Sequence, residues 1–331
     1  MNGLFLDIET TGFHRGRETV YLIGAGYVKE EAFVVLQWFC DEGEEETILE
    51  DFIAFSESFN CLIHYNGLSF DLPFLEEKSK IYGLDCSLLV KEQIDLYREI
   101  RPFKKFLNLS DLKLPTVERF FLMEREEEEN GKSLIPVYKS FLDSPTKEKE
   151  EILLKHNYFD IIHLAAITRI LDLKYCLNEG FEITESYFTD KYLRIKLKFV
   201  FSFPKLVQGE HLEILYSFYD DQGELNIPLY IGNLKYYYKN YKDYYYLPYE
   251  NIVIHKSVAA FVDVANKERC TAKNCFVLKE GSFLKQFDPI FENVFKLDDK
   301  DKETYFPVED FQDSERQFEY VKSILRKIVT V

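Results

Sequence analysis

The first apolar segment of the chain, Leu4–Glu9, contains two acids two residues apart, Asp7 and Glu9. A short apolar segment of this kind is typical of a buried strand, and residues two apart on a strand point to the same face. Two carboxylates on one face of a buried strand are costly unless a positive group neutralises them. The pair therefore predicts a buried strand near the start of the chain and a site that a cation can occupy.

The segments that follow predict an α/β fold. Val20–Val28 and Ala32–Phe39 are expected to be strands close to the first, and Cys61–Tyr65 a fourth strand after a helix over 44–55. A helix-rich stretch is expected from about residue 72 to 172. Three neighbouring strands followed by alternating helices and strands indicate a mixed sheet flanked by helices.

The residue pattern changes near residue 175 from helix-rich to strand-like, so we expect two domains, 1–175 and 176–331. The second is expected to be a smaller, strand-rich α+β domain of unknown role. Its expected elements are a strand at Leu193–Phe203, a hairpin turn at Asp220–Gly223, strands at Tyr244–Leu247 and Asn251–His255, and helices at Val258–Ala265 and Glu315–Ile328.

Charge and composition restrict the partners. The net charge is −17, and residues 1–172 carry 19 Lys and Arg against 33 Asp and Glu, including the acidic run Glu124–Glu129, expected as a solvated loop or helix end. Proteins contact phosphate groups mostly through Lys and Arg, so this excess of acids disfavours the binding of nucleic acid unless divalent cations neutralise some of the carboxylates.

No apolar segment approaches the ~20 residues of a membrane span. With no visible signal peptide and no Cys-x-x-Cys pair, we expect reduced thiols in a cytoplasmic protein.

Two further acids can complete a metal site with Asp7 and Glu9. Asp71 stands at the head of a helix after the fourth strand, where it could instead be a helix cap. Asp160 lies on a later helix, and His156, four residues earlier, shares its helical face. Oxygen ligands favour Mg²⁺ or Mn²⁺ over zinc, and two such ions are a standard device for phosphodiester cleavage. The four carboxylates are therefore candidate ligands for two ions.

Three sequence motifs resemble those of the DEDD exonuclease superfamily, which has the ribonuclease H-like fold. They are Phe5–Gly12 (FLDIETTG), Asn66–Leu75 (NGLSFDLPFL) and His156–Asp160 (HNYFD). The likeness is greatest to the YprB-like branch. It covers about residues 3–172, including Leu114–Glu118 and Ile135–Tyr138.

The resemblance implies a metal-dependent 3′–5′ exonuclease that hydrolyses phosphodiester bonds of DNA or RNA, with a single-stranded 3′ end as its partner. It implies that Asp7 bridges both ions, that Glu9 and Asp160 complete the shell of one ion, and that Asp71 acts on the second. Thr10 and Asn66 are implied to lie near the substrate backbone.

The stretch 98–113 is the clearly basic part of the first domain, and it lies between the second and third motifs. Cations there could hold phosphates, or they could form an ordinary solvated helix face. The candidate substrate contacts in this stretch are Arg101, Lys104 and Lys105.

The third motif departs from the two main branches of the superfamily. These branches place a general base as His five residues before the last Asp, or as Tyr four before it; here those positions hold Lys155 and His156. An imidazole suits a base near neutral pH, so His156 is the candidate general base. It could instead be a structural partner of Asp160. His163 is a further candidate, expected to be partly exposed.

A second hypothesis is a catalytically weak or inactive nucleic-acid-binding module that retains the fold. The excess of acidic residues and the unassigned second domain favour this hypothesis. The presence of all four acids opposes it, because a site that has lost its activity has no reason to keep acids that are costly to bury together. The Tyr- and Lys-rich segment Tyr236–Tyr246 could stack single-stranded bases. Plain packing within a sheet is the alternative for that segment.

Overall fold

The computed structural model describes residues 2–41, 43–123 and 131–329, and only the backbone of residues 131 and 132. The chain divides into two compact units, Met1–Tyr175 and Cys176–Val331. The acidic run Glu124–Glu129, expected to be a solvated loop or helix end, lies outside the described residues. Among the helices described, none has both the length and the apolar character needed to cross a membrane.

The first unit is built on a mixed sheet. Its strands are β1 (Gly3–Thr10), β2 (Val20–Lys29), β3 (Ala32–Phe39), β4 (Cys61–His64) and β5 (Glu92–Asp95). The strand order is β3-β2-β1-β4-β5; β1, β2 and β3 are antiparallel neighbours, whereas β4 runs parallel to β1 and to β5. The expected mixed sheet is confirmed. The sequence did not reveal β5, because this strand is short and mostly polar (EQID).

Helices cover both faces of this sheet. Trp38 and Phe39 are consecutive on β3, so their side chains point to opposite faces. Trp38 contacts Phe52, and Phe39 contacts Tyr138, so the helices that carry these two rings lie on opposite faces. The helices of the unit are α1 (Glu45–Ser56), α2 (Asp71–Tyr82), α3 (Leu96–Ile100), α4 (Leu114–Phe120), α5 (Gly131–Asp143), α6 (Lys147–Ile167) and α7 (Arg169–Cys176).

The second unit is strand-rich, as expected. Its strands are β6 (Phe181–Phe188), β7 (Tyr192–His211), β8 (Ile214–Tyr237), β9 (Tyr244–Leu247), β10 (Ile252–His255), β11 (Glu268–Arg269), β12 (Phe276–Gln286), β13 (Phe295–Lys296) and β14 (Thr304–Pro307). One sheet has the order β12-β14-β13-β8-β7-β6 and another the order β10-β9-β11. The helices are α8 (Lys256–Ala259) and α9 (Ser314–Val329).

Two expectations for the second unit are wrong. Asp220–Gly223 is not a hairpin turn, because β8 continues through it and pairs Gly223 with Leu197 of β7. The polar residues instead mark a bulge, where Asp220 has φ 50° and the register shifts; the turn lies at Leu212 and Glu213, both with positive φ.

The helix expected over Val258–Ala265 is likewise interrupted. Helix α8 ends at Ala259, and a 3-10 turn follows only at Val264–Asn266. The ammonium group of Lys267 donates hydrogen bonds to the carbonyl oxygens of Ala259 and Val262. These contacts satisfy carbonyl groups that a continuous helix would have paired internally.

Candidate active site

Carboxylates from three elements of the first unit meet at one end of β1. Asp7 and Glu9 lie on β1, Asp71 is the first residue of α2, and Asp160 lies on α6. Glu9, Asp71 and Asp160 are buried and Asp7 is half-buried. The backbone N–H of Ile8 donates a hydrogen bond of 3.3 Å to Asp71 Oδ1, so the side chain of Asp71 is turned toward the first strand, and within the described residues no side-chain hydrogen bond caps its helix.

The charges of these acids act on one another. Burial raises the pKa of Asp7 well above its ordinary value, and the negative charges of Asp160, Glu9 and Asp71 raise it further. Burial raises the pKa of Asp71 to about 7, although the hydrogen bond from the Ile8 N–H opposes the shift. Mutual destabilisation of this kind is what a divalent cation relieves, so the donor set fits one.

His156 lies between two of the acids. Its Nε2 atom is 3.4 Å from Asp160 Oδ2 and 3.6 Å from Glu9 Oε1. The three side chains present possible ligand atoms that all lie within 4.8 Å of one another. Within the described ranges, the buried Nδ1 atom of His156 has no hydrogen-bond partner. The contact with Glu9 was not expected from the sequence, because it joins residues far apart in the chain.

Two glycines of β2 allow α6 to approach the sheet closely. A Cβ atom on Gly24 would lie 2.1 Å from Asn157 Oδ1, and one on Gly26 would lie 2.6 Å from a methyl group of Ile161. Gly24 is the register partner of Asp7, so α6 packs on the face that carries the acids. The alternating glycines of GAG in β2 are a signal for close approach that sequence reasoning could have used.

Asn157 occupies the space beside Gly24 and is a functional candidate that the sequence analysis did not assign. Its Nδ2 group donates a hydrogen bond of 2.9 Å to Asp7 Oδ2, and its Oδ1 atom accepts one of 2.9 Å from Gln37 Nε2. The bond to Asp7 lowers the pKa of that carboxyl, against the larger effect of burial. Asn157 therefore orients Asp7.

A buried network holds the turn that precedes Asp71. Asn66 is half-buried in the left-handed region, at φ 62°, and its backbone N–H donates a hydrogen bond of 2.8 Å to Asp95 Oδ1. The N–H of Gly67 donates to His64 Nδ1 over 3.1 Å, which leaves Nε2 of His64 to carry the ring proton toward Gln93 Oε1. Burial lowers the pKa of His64, so the ring stays neutral. Sequence reasoning missed both His64 and Asp95.

Among the predicted substrate contacts, Thr10 lies on β1 and three cations lie in the basic stretch 98–113. The hydroxyl of buried Thr10 donates a hydrogen bond of 2.7 Å to the carbonyl oxygen of Gly12. Arg101 and Lys105 are exposed and Lys104 is half-buried. In the part of the chain that the structure describes, none of these three cations forms an ion pair with the four acids.

The loop after β1 carries further exposed groups that the sequence analysis missed. The side chain of Phe13 is 68% exposed, and its ring contacts Phe70 with 5.9 Å between centroids. Arg15 Nη2 donates a hydrogen bond of 2.9 Å to the carbonyl oxygen of Ser69. The loops that follow β1 and precede α2 therefore contact each other beside the acids.

His163 is buried rather than partly exposed, which corrects the expectation. Its Nδ1 atom lies 2.9 Å from Glu118 Oε1, and the Glu118 side chain is also buried. His156, Asp160 and His163 fall on successive turns of one face of α6. Burial follows because α4, which carries Glu118, packs against α6.

These features define an α/β domain with an acidic centre fitted to divalent cations. The family model of the RNase_H superfamily matches residues 4–172. The chain belongs to the RNase_H superfamily, and the ribonuclease H-like fold expected from the sequence is confirmed.

Sequence identity to an individual relative is low. The chain is 27% identical over 170 residues to a protein of Bacillus subtilis (strain 168) described as uncharacterized protein YprB. The match covers 50% of this chain and 41% of the relative, so the chain spans less than half the length of that relative.

A family B DNA polymerase from the archaeon Pyrobaculum calidifontis shows a TM-score of 0.46 at 12% identity, over 100% of this chain and 46% of the polymerase. A structure described as the apo form of a nuclease shows a TM-score of 0.34 at 12% identity, over 53% of this chain and 73% of that one.

Proposed function

We propose that residues 4–172 form a metal-dependent nuclease domain that hydrolyses phosphodiester bonds of DNA or RNA as a 3′–5′ exonuclease. The observation that carries the proposal is the convergence of carboxylates from β1, α2 and α6; burial, and then the charges of the other acids, raise the pKa of Asp7. Acids held together in this way are stabilised by divalent cations. Membership of the RNase_H superfamily supports the same conclusion.

In the proposed site, Asp7, Glu9, Asp71 and Asp160 hold two Mg²⁺ or Mn²⁺ ions. Glu9 and Asp160 would hold one ion and Asp71 the other, with Asp7 contributing to both. When bound, such ions activate a water molecule and stabilise the leaving oxygen. The protein contributes orientation: the Asn157 amide fixes Oδ2 of Asp7, and the Ile8 N–H fixes Oδ1 of Asp71.

His156 is the proposed general base, and the competing role is that of a partner or ligand beside Asp160. The two roles differ in what His156→Gln removes. If His156 is the base, the variant loses kcat by a factor of about 100 or more and keeps its affinity for Mn²⁺. If His156 holds the ion or Asp160, the affinity for Mn²⁺ falls together with kcat.

The substrate proposed for this site is a single-stranded 3′ end. Thr10 and Asn66 flank the acids, and the loop after β1 adds the exposed ring of Phe13 and the guanidinium group of Arg15. An aromatic ring and a cation offer a base-stacking surface and a phosphate contact. Arg101, Lys104 and Lys105 are proposed to hold phosphates further along the strand.

The test uses the full chain with Mn²⁺ or Mg²⁺ and DNA and RNA oligonucleotides, single- and double-stranded, labelled at either end. We expect stepwise shortening from the 3′ end. Asp7→Asn and Asp160→Asn should abolish it while the protein stays folded by circular dichroism. Wild-type protein that binds the metal but degrades none of these substrates would contradict the proposal.

The second unit, Cys176–Val331, has no part in the proposed hydrolysis, and it leaves room for one alternative, a module that binds nucleic acid without hydrolysing it. The same oligonucleotides separate the two functions. A binding-only module retards them in a gel without shortening them, and calorimetric titration with Mn²⁺ shows weak or no occupancy by two ions. A nuclease shortens them and takes up two ions.

A further inference from the structure

Tyr21 lies at a β-bulge directly beside the acids. The register of β1 and β2 pairs Glu9 with Leu22 and then Thr10 with Val20, so Tyr21 is the extra residue on β2. A bulge redirects the side chain at the insertion and is common next to functional sites. The side chain of Tyr21 is fully buried.

The ring of Tyr21 lies on the sheet face that carries Glu9. Leu22 pairs with Glu9 on one side and with Phe39 on the other, so these three side chains share a face. Phe39 contacts the ring of Tyr138, with 6.1 Å between centroids. Tyr138 in turn stacks on Tyr21, with 4.1 Å between centroids and 14° between planes.

The hydroxyl of Tyr21 has no hydrogen-bond partner in the ranges described. The other ring of the stack differs, because Tyr138 donates its hydroxyl to the carbonyl oxygen of Cys40 over 2.9 Å. Burial raises the pKa of Tyr21, and the charges of Glu9 and Asp7 raise it further. The phenol therefore stays protonated and acts as a donor toward negative charge. A buried donor without an acceptor destabilises the fold, which calls for an acceptor in the working state.

We propose that Tyr21 is a positioning residue whose hydroxyl donates a hydrogen bond to the Glu9 carboxylate when that carboxylate coordinates a divalent cation. The inference rests on the proposed function. Carboxylates that bind metal ions are usually oriented by hydrogen bonds to their outer oxygens. Asp7 and Asp71 receive such bonds from Asn157 and Ile8. Tyr21 supplies a donor on the side of Glu9.

The first test compares Tyr21→Phe with Tyr138→Phe in the full chain. Tyr21→Phe removes an unmatched hydroxyl and keeps the stack, so the Tm of the metal-free protein should rise by about 2 °C or more. Its affinity for Mn²⁺ in calorimetric titration should fall about 10-fold. Tyr138→Phe removes a satisfied hydroxyl, so it should lower the Tm and leave the Mn²⁺ affinity unchanged.

A double-mutant cycle with Glu9→Gln identifies the acceptor. If Tyr21 acts through Glu9, Tyr21→Phe should weaken Mn²⁺ binding in the wild-type background and have little effect in Glu9→Gln. In the nuclease assay, Tyr21→Phe should lower kcat and leave KM unchanged, because no substrate contact is removed.

The outcomes separate this inference from the function on which it rests. Wild-type protein that binds no Mn²⁺ contradicts both. If the wild-type protein binds Mn²⁺ and cleaves, but Tyr21→Phe binds the ion within twofold of wild type, only the role of Tyr21 fails. A lower Tm of metal-free Tyr21→Phe also contradicts it, because the hydroxyl would then have a partner without the metal.

Discussion

The Asn157 side chain donates a hydrogen bond of 2.9 Å to Asp7 Oδ2, which joins the middle of α6 to the acid at the centre of β1. The same amide accepts a hydrogen bond of 2.9 Å from Gln37 of β3. Asn157 is fully buried. One side chain thus fixes the relative position of the strand and of the helix that carries Asp160.

Asn157→Ala should weaken both the fold and the site. The variant leaves buried polar groups unmatched, so the free energy of unfolding should fall by about 1–3 kcal/mol. Mn²⁺ binding should weaken about 10-fold because Asp7 loses its orienting donor. Gln37→Ala is the control, since it removes the bond to Asn157 but leaves the bond to Asp7. Unchanged Mn²⁺ affinity in Asn157→Ala would show that Asp7 needs no such donor.

The raised pKa of Asp71, about 7, predicts a pH dependence of stability. An unfolded Asp loses its proton near pH 4, so between about pH 4 and 7 the folded state binds more protons than the unfolded state. Stability of the metal-free protein should therefore fall as the pH rises through this window. A bound divalent cation favours the ionised form, so the gain in Tm from Mn²⁺ should be larger at pH 7 than at pH 5.

Asp71→Asn isolates this effect from the general acidity of the chain. The variant has no titrating carboxyl at residue 71, so its metal-free Tm should depend less steeply on pH than that of wild type. Thermal unfolding between pH 4.5 and 7.5, with and without Mn²⁺, measures both profiles. Identical slopes in the two proteins would assign the dependence to other groups, such as Asp7.

Gly24→Ala should disrupt the contact between α6 and the sheet. The added Cβ would lie 2.1 Å from Asn157 Oδ1, and shifts of this kind typically cost about 1–3 kcal/mol. Because Asn157 would be displaced from Asp7, metal binding should weaken as well. Gly16→Ala is a matched control, since a Cβ there meets no atom within 4 Å. Equal stability of the two variants in urea would contradict the close packing at Gly24.

The sequence predicted the central strands because hydrophobic patterning and turn residues agree there. Ala32–Phe39 was predicted with the bounds that the structure gives. The sequence also predicted that Asp7 and Glu9 lie on one strand and that Asp160 lies beside His156 on one helix, because both pairs have the spacing of a shared face. Contacts between residues far apart in the sequence were not predictable in this way. The contact of His156 with Glu9 depends on how α6 crosses the sheet, and local patterns do not specify that crossing.

Two errors, one in each unit, have a similar origin. Asp220–Gly223 has the composition of a turn, but cross-strand pairing of Gly223 with Leu197 keeps it within β8. His163 was expected to be partly exposed because it is polar, yet pairing with Glu118 buries it. In both cases a partner distant in sequence outweighs the local preference.

The buried pair of Glu118 and His163 provides the last prediction. Glu118→Ala leaves the His163 imidazole buried without its partner, so the free energy of unfolding should fall by about 3 kcal/mol. Glu118→Gln keeps an acceptor in place and should cost less. Urea unfolding measures both.

Calorimetry with Mn²⁺ and the kcat of the nuclease then show whether this pair also serves the site. We expect neither variant to change the Mn²⁺ affinity by more than about twofold, because this pair joins α6 to α4 and not to the strand that carries Asp7 and Glu9. A loss of kcat in Glu118→Gln without loss of stability would overturn the purely structural role and make His163 the group to test as a second proton acceptor.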